Sequence, residues 1–538
     1  MIDEITRVDS FNLWQQPWID LERPDGMVIR QGIRDALLNA HQVQGIFSTS
    51  PLEIVGIHRL LTAILQDMVH PSSSRDIQKL WQSGRIPSDQ LDEFGESFAD
   101  RFDLFSPDQP FMQTGDLPLV PARDTPKKPV TYLAPELPCA TAIAHYHHVL
   151  DAQQSFCPTC CARGLVVIPA FATSGGAGIK PSINGVPPIY VLPGGSTLFE
   201  SLVASLILPN YQPQIREMDN DAVWWRRPAQ IEKSGEIDSV GYLESLTFPA
   251  RRVRLYPARN GEKCSRCGGS SPLVVRKMTF EMGLSRPKDS PFWRDPFAAY
   301  FLRENDNPLP LRPTPGKAIW REFSSLFLST PPEPAVKSKR VPLRPTLIDQ
   351  LTSFQENGIG LNNDVVSFRC IGIRTDMKAK IFEWVDSGFN IPLAVLRSSD
   401  AGLDVDDALR FAGDCENTST DLFKKQLNEN KKKGERFSRA KISMSDSFWL
   451  ALAEPFRRLI ADLGDVYRLP EEEQRKYSAA IMAAWYRLAI STARAELENA
   501  LQQIGDDGRN LRLRFQCLEE FNKLMYGKLK KKEGGHEA

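Results

Sequence analysis

The sequence has almost no net charge: 66 Lys and Arg against 67 Asp and Glu leave −1 over 538 residues. This excludes a polycation that coats nucleic acid by bulk charge. Any nucleic-acid contact has to come from local patches or from placement in a larger assembly. No apolar run approaches the roughly twenty residues of a membrane span. The opening Met1-Ile-Asp-Glu-Ile-Thr-Arg7 lacks the basic-then-apolar order of a signal peptide, and a cytoplasmic location is expected. His-Glu-x-x-His, Gly-x-Ser-x-Gly and Walker motifs are missing, so nothing assembles a convincing active site. Asp404, Asp406 and Asp407 read as helix-start residues. No internal repeat is found.

What is present describes a globular protein, 41% apolar and 25% charged, too long for one ordinary core. Of nine cysteines, five lie in or beside two knuckles. These are Cys157-Pro-Thr-Cys160, followed by Cys161, and Cys264-Ser-Arg-Cys267-Gly-Gly269. Without a signal peptide, such spacing favours metal over disulfides. Four thiolates close a tetrahedral zinc site with no open position, which makes the metal structural. Cys161 could replace Cys160 if the turn slipped. Such a site would pin two distant segments together and fix the loop between them.

That loop, Thr173-Ser-Gly-Gly-Ala-Gly-Ile-Lys180, is glycine-rich. Glycine lets backbone approach another molecule closely, although a plain surface turn explains the composition equally well. Three of the seven histidines fall in His145-Tyr-His-His148, which suits either loop packing or nucleic-acid contact. Arg276, Lys277, Lys378 and Lys380 are ordinary charges taken singly. Positions 421–441 carry eight basic and three acidic residues; such a run attracts phosphates or is simply solvated.

Ser50-Pro-Leu-Glu53 predicts a helix start with a capping box, and apolar spacing continues to Met68. Phe11–Asp20 reads as an anchoring strand, and helical patterns follow near 75–82 and 89–102. Residues 117–190 read as strands and long loops. Thr197-Leu-Phe-Glu200 predicts a capped helix through Leu208, and 241–256 and 272–283 read as strands. Prolines punctuate 305–346, yet Ala318–Phe323 inside that stretch looks packed. Beyond it the pattern is helical over 402–430, 445–463, 471–504 and 509–530. Ile481, Trp485, Leu488 and Thr492 are expected to share one face, and Lys528–Ala538 to fray.

In order, these features resemble one family: CasA, the large subunit of the type I-E CRISPR Cascade complex. The resemblance rests on Asn12-Leu-Trp…Pro17-Trp-Ile19, Pro110-Phe-Met-Gln-Thr114, the first knuckle with its glycine loop, and Gly194-Gly195 with the apolar run to Pro209. The second knuckle and the helical C-terminus complete it. It implies a non-catalytic subunit that reads the protospacer-adjacent motif of double-stranded DNA from the minor groove. Such a subunit also helps open the duplex for R-loop formation and recruits a helicase-nuclease. Its partners would be the CRISPR guide RNA and the other Cascade subunits: the backbone, small and guide-end subunits. By the same resemblance the glycine loop falls on Gly175, Gly176, Ala177 and Gly178, and the preceding loop on Tyr146 and His148. The basic finger falls on Arg276 or Lys277, and the duplex wedge on Met377, Lys378 and Ala379.

The expected fold is α+β: a large mixed N-terminal domain with a structural zinc site at Cys157, Cys160, Cys264 and Cys267, then a C-terminal four-helix bundle. The expected boundaries are 1–345, a connecting segment with the wedge at 346–398, and 399–538. The rival readings are a zinc-containing nuclease or RNA-modifying enzyme, and a zinc-stapled scaffold that binds only protein.

Overall fold

The computed structural model describes residues 9–119, 127–137, 153–174, 178–213, 221–287, 289–290, 293–303, 306–314, 316–328, 340–356, 364–375, 381–428, 434–503 and 508–534. The chain divides into two compact units, Met1–Pro313 with Pro334–Phe389, and Thr314–Glu333 with Asn390–Ala538.

The first unit mixes helices with small sheets. Strands β1 (Ile19–Glu22), β2 (Val28–Gln31) and β3 (Gly45–Ile46) form one, in the order β2-β1-β3. A second, ordered β4-β9-β6, joins β4 (Lys128–Pro129), β6 (Arg251–Ala258) and β9 (Val274–Met282). Between β6 and β9 sits a short ribbon, β7 (Glu262–Lys263) with β8 (Ser270–Ser271). A third sheet runs β14-β13-β5, from Ile381–Pro392, Val365–Thr375 and Tyr190–Gly194. A fourth runs β11-β10-β12, from Asp306–Pro310, Tyr300–Arg303 and Arg340–Leu343.

Helix α1 (Pro51–Val69) crosses the core of this unit and is buried along nearly all its length. It starts where Pro51 fits the first turn, but the predicted capping box is not made. Ser50 caps nothing with its side chain. Glu53 is turned inward and accepts from Ser48 Oγ at 2.6 Å. Helices α2 (Ser74–Ser83) and α3 (Ser88–Phe98) follow, near where period predicts them. The segment at 11–16 is an anchor but not a strand: Asn12 makes an isolated bridge to Asp103.

The block Pro110–Thr114 is structural. Phe111 stacks on Phe102 at 5.7 Å. Gln113 Nε2 donates to the Leu104 carbonyl at 2.7 Å, and its Oε1 accepts from Leu255 N at 2.8 Å. A buried amide thus ties the N-terminal helices to β6.

Residues 117–190 hold a helix that the sequence reading missed, α4 (Pro158–Phe171). Most of its faces are buried, so it lacks the apolar/polar alternation that marks an amphipathic helix, and Pro169 lies inside it. It packs on α1 so closely that a Cβ on Gly56 would lie 2.7 Å from the Val166 carbonyl oxygen. The helix expected to run through Leu208 stops at Ala204, with Thr197 Oγ1 capping Glu200 N. Tyr242–Leu246 is a short helix rather than strand. Helix α5 (Thr346–Glu356) also belongs to this unit.

The second unit is built on four long helices, α6 (Ser399–Asn428), α7 (Gly434–Val466), α8 (Glu471–Gln502) and α9 (Gly508–Gly534). Trp320, in the proline-punctuated stretch, packs at 4.9 Å from Phe456 of α7. The buried face of α8 carries Met482, Trp485, Ala489, Ala493 and Leu497. Leu488, expected on it, is 38% exposed because the face is rotated by about one position. The C-terminus is helical through Gly534, with Lys528 paired to Asp414 at 2.8 Å and Lys532 to Asp407. Asp404 and Asp407, inside α6, accept from Tyr467 and Tyr486 at 2.8 and 2.5 Å. Among the described residues, no helix is long and apolar enough to cross a membrane.

Candidate metal centre and nucleic-acid interface

The first knuckle is the first turn of α4. Cys157 is the N-cap and Cys160 lies three residues in, where unpaired amides and the helix dipole favour a thiolate. The second knuckle is the turn of the β7–β8 ribbon. Gly268, at φ +73°, lets that turn close: Cys264 N donates to the Gly269 carbonyl and Gly268 N to the Cys264 carbonyl, both at 2.8 Å.

Backbone pairing brings the knuckles together. Phe156 and Val275 exchange hydrogen bonds of 2.9 and 2.8 Å, and Ser265 N donates to the Ser155 carbonyl at 2.7 Å. The sulfurs of Cys157, Cys160, Cys264 and Cys267 then all lie within 4.8 Å of one another. The Cys157–Cys267 and Cys160–Cys264 separations are 3.8 and 3.7 Å. A tetrahedron of thiolates around an ion with metal–sulfur bonds of about 2.3 Å has edges of about 3.8 Å, so the set fits a tetrahedral metal ion. Cys161 is turned away, toward the Phe156 carbonyl at 3.9 Å.

The electrostatics distinguish the sulfurs. Sulfur hydrogen bonds from Cys157 and Cys160 hold the Cys264 thiol well below its usual range, while bonding to Cys157 and Cys264 and burial push Cys160 up. The Cys264 sulfur is the one that its neighbours hold toward the thiolate. Cys157 N also donates to its sulfur at 3.3 Å, the kind of amide support that outer-shell groups give a metal ligand. Two guanidiniums offset the negative charge. Arg266 is fixed by Glu53 at 2.8 Å and by Glu136. Arg30 is raised by its hydrogen bond to Asp20 and, more weakly, by the charges of Cys267 and Cys157.

The glycine loop leaves the opposite end of α4. Fourteen helical residues separate the two ends, about 21 Å at 1.5 Å per residue. The described start of the loop, Thr173 and Ser174, therefore lies about a helix length from the cysteine cluster. Gly175, Gly176 and Ala177 lie outside the described residues; Gly178 has φ +80°, and a Cβ built there meets nothing within 4 Å. Its backbone favours glycine, and its side is open.

The other predicted residues divide. Arg276 is engaged, donating to the Gln153 carbonyl at 2.9 Å and pairing with Glu262. Lys277, next to it on β9, is exposed, and no ion pair of Lys277 is found among the described residues. Tyr146, His148, Met377, Lys378, Ala379 and Lys380 lie outside the described residues. In the basic run, Lys424 pairs with Asp421 and Lys425 with Glu520, each at 3.2 Å. Sequence reasoning missed Arg266 and Glu53. An arginine inside a knuckle was the available signal, but its partner lies 213 residues away in sequence.

The family described as CRISPR-associated protein Cse1 matches residues 12–494. The CRISPR-associated protein CasA/Cse1 of Thermus thermophilus is 31% identical over 334 residues, spanning 60% of this chain and 61% of that protein. The structure of Cse1 from Acidimicrobium ferrooxidans has the same fold, with a TM-score of 0.74 at 21% identity, covering 98% of this chain and 99% of that one. A chain of a structure described as a CRISPR RNA-guided surveillance complex superposes with a TM-score of 0.66 at 16% identity, covering 95% and 99%.

Proposed function

The chain belongs to the CRISPR-associated Cse1 family, and from that membership we propose that it is the large, non-catalytic subunit of a type I-E RNA-guided surveillance complex. In such a complex, guide RNA pairing reads most of the target while protein reads a short flanking motif. The observation that carries the reading is Gly178, a left-handed, open-sided backbone position at the exit of a glycine loop. Backbone without side chains can enter a groove that side chains would block, and minor-groove readout is coarse enough for a few contacts.

In this reading Gly175, Gly176, Ala177 and Gly178 meet the minor groove, with Tyr146 and His148 beside them. Lys277 supplies the basic contact, since Arg276 is already engaged by Gln153 and Glu262. Met377, Lys378 and Ala379 part the duplex, which costs a few kcal/mol per unstacked step. The other Cascade subunits and the guide RNA hold the subunit in place, and a helicase-nuclease is recruited to the opened DNA. The four-cysteine cluster holds zinc in a structural role, because four thiolates leave no position for substrate or water.

The test is a reconstituted complex carrying Gly178→Val, assayed on double-stranded targets with matching and altered flanking bases. Discrimination between the targets is expected to fall while assembly persists. Unchanged discrimination by a fully assembled variant overturns the reading.

A further inference from the structure

Arg251 is 3% exposed and has no carboxylate partner among the described residues. Burial alone lowers its pKa, to about 10. An unpaired buried cation is costly unless it is fully hydrogen-bonded. The groups that compensate it include the entry stem of the glycine loop, and the Phe280 ring lies 5.9 Å from its guanidinium carbon. Arg251 Nη2 donates to the Thr173 carbonyl at 2.6 Å, on the loop's entry side. Nη1 donates to its neighbour's carbonyl, Ala250, at 2.7 Å and lies 3.7 Å from Met282 Sδ.

Met282 is the residue directly opposite Arg251 in the β6–β9 register. Its sulfur also accepts from Lys180 N at 3.2 Å, on the loop's exit side. One cross-strand pair thus grips both ends of the segment. The neighbouring contacts have the same effect: Ser182 N donates to the Ala172 carbonyl at 2.8 Å, and Lys180 pairs with Glu236.

We propose that Arg251, with Met282 opposite it, is a positioning residue for the glycine loop, holding its two stems so that the loop meets DNA at a fixed place. A lysine could not grip the stem in the same way, because it lacks the planar fork that reaches the Thr173 and Ala250 carbonyls at once. The functional half rests on the reading that this loop contacts DNA; the gripping of the stems does not.

The experiment therefore has two readouts. The first is hydrogen–deuterium exchange of the full chain over residues 173–182. The second is discrimination of flanking bases by the assembled complex. Arg251→Met is expected to raise exchange over 173–182 by about tenfold, to leave the knuckles protected, and to reduce discrimination. Arg251→Lys, which keeps the charge but reaches only one of the two carbonyls at a time, is expected to restore only part of both. Met282→Leu keeps the volume while removing the sulfur acceptor, and should free the Lys180 amide even if Arg251→Met does not fold.

Unchanged exchange in both Arg251→Met and Met282→Leu overturns the clamp. If exchange rises while discrimination holds, the positioning role is overturned. In that case Gly178→Val, run alongside, separates the causes. Lost discrimination there leaves the loop's DNA contact standing, and kept discrimination removes that as well.

Discussion

Glu53, in the first turn of α1, and Arg266, inside the second knuckle, form a buried ion pair at 2.8 Å, their side chains 5% and 13% exposed. The pair joins the longest buried helix of the first unit to the turn that carries two of the four cysteines. Glu136 also pairs with Arg266 and Ser48 donates to Glu53, so removing either partner leaves the other charge partly compensated, at a cost below the roughly 3–5 kcal/mol of a fully stranded buried charge. Glu53→Gln and Arg266→Met should each lower the thermal midpoint of the full chain. The double variant should lose less than the sum. Additive losses in the double-mutant cycle would show that the pair is not coupled.

The cysteine cluster gives a second prediction. Cys157→Ser and Cys264→Ser should abolish stoichiometric metal binding and expose the first unit to proteolysis, since binding free energy at such a site is also folding free energy. Because Phe156 and Val275 pair through backbone groups and not through the cysteine sulfurs, the two knuckles should remain near one another after chelation, and re-addition of zinc should restore the cluster. Elemental analysis finding no metal in the unmodified protein would dispose of the site.

A third prediction concerns acid. His58 is fully buried in α1, its Nε2 2.8 Å from Ser205 Oγ, and burial together with neighbouring Arg59 lowers its pKa from 6.5 to about 4. The unfolded chain therefore binds a proton that the folded chain refuses. The corresponding stability is complete above about pH 6.5 and is lost as pH falls toward about 4, by an amount on the order of 3 kcal/mol. His58→Gln, which keeps a polar partner for Ser205, should flatten the melting profile across that window. A variant whose profile retains the full acid slope would assign the slope to other groups.

Adjacent basic residues on β9 should behave differently. Lys277→Ala should weaken duplex binding by the complex and reduce the salt dependence by about one phosphate contact, with no change in melting. Arg276→Ala should act on stability instead, through the lost Gln153 and Glu262 contacts. The opposite pattern in a salt titration would reverse the assignment.

The cysteines were legible because metal geometry imposes a short spacing that survives any fold. The long C-terminal helices were legible because each has one buried face, as in α8, where Trp485 and Ala489 repeat at helical distance. Helix α4 was hidden for the reverse reason: it is buried on most sides, so no period marks it. Glu53 was misread as a cap because local spacing cannot see Arg266. Arg251 was not legible at all. In Arg251-Arg-Val-Arg254 it is one of three arginines, and only the cross-strand register opposite Met282 sets it apart.

Helix α4 begins at the cysteine cluster and ends at the glycine loop. Such a rod is a gauge of both distance and angle. Adding one residue between Cys160 and Phe171 would advance the loop by about 1.5 Å and swing it by about 100° relative to the knuckles. The number of residues in that helix therefore sets where the loop's first residues, Thr173 and Ser174, emerge relative to the knuckles.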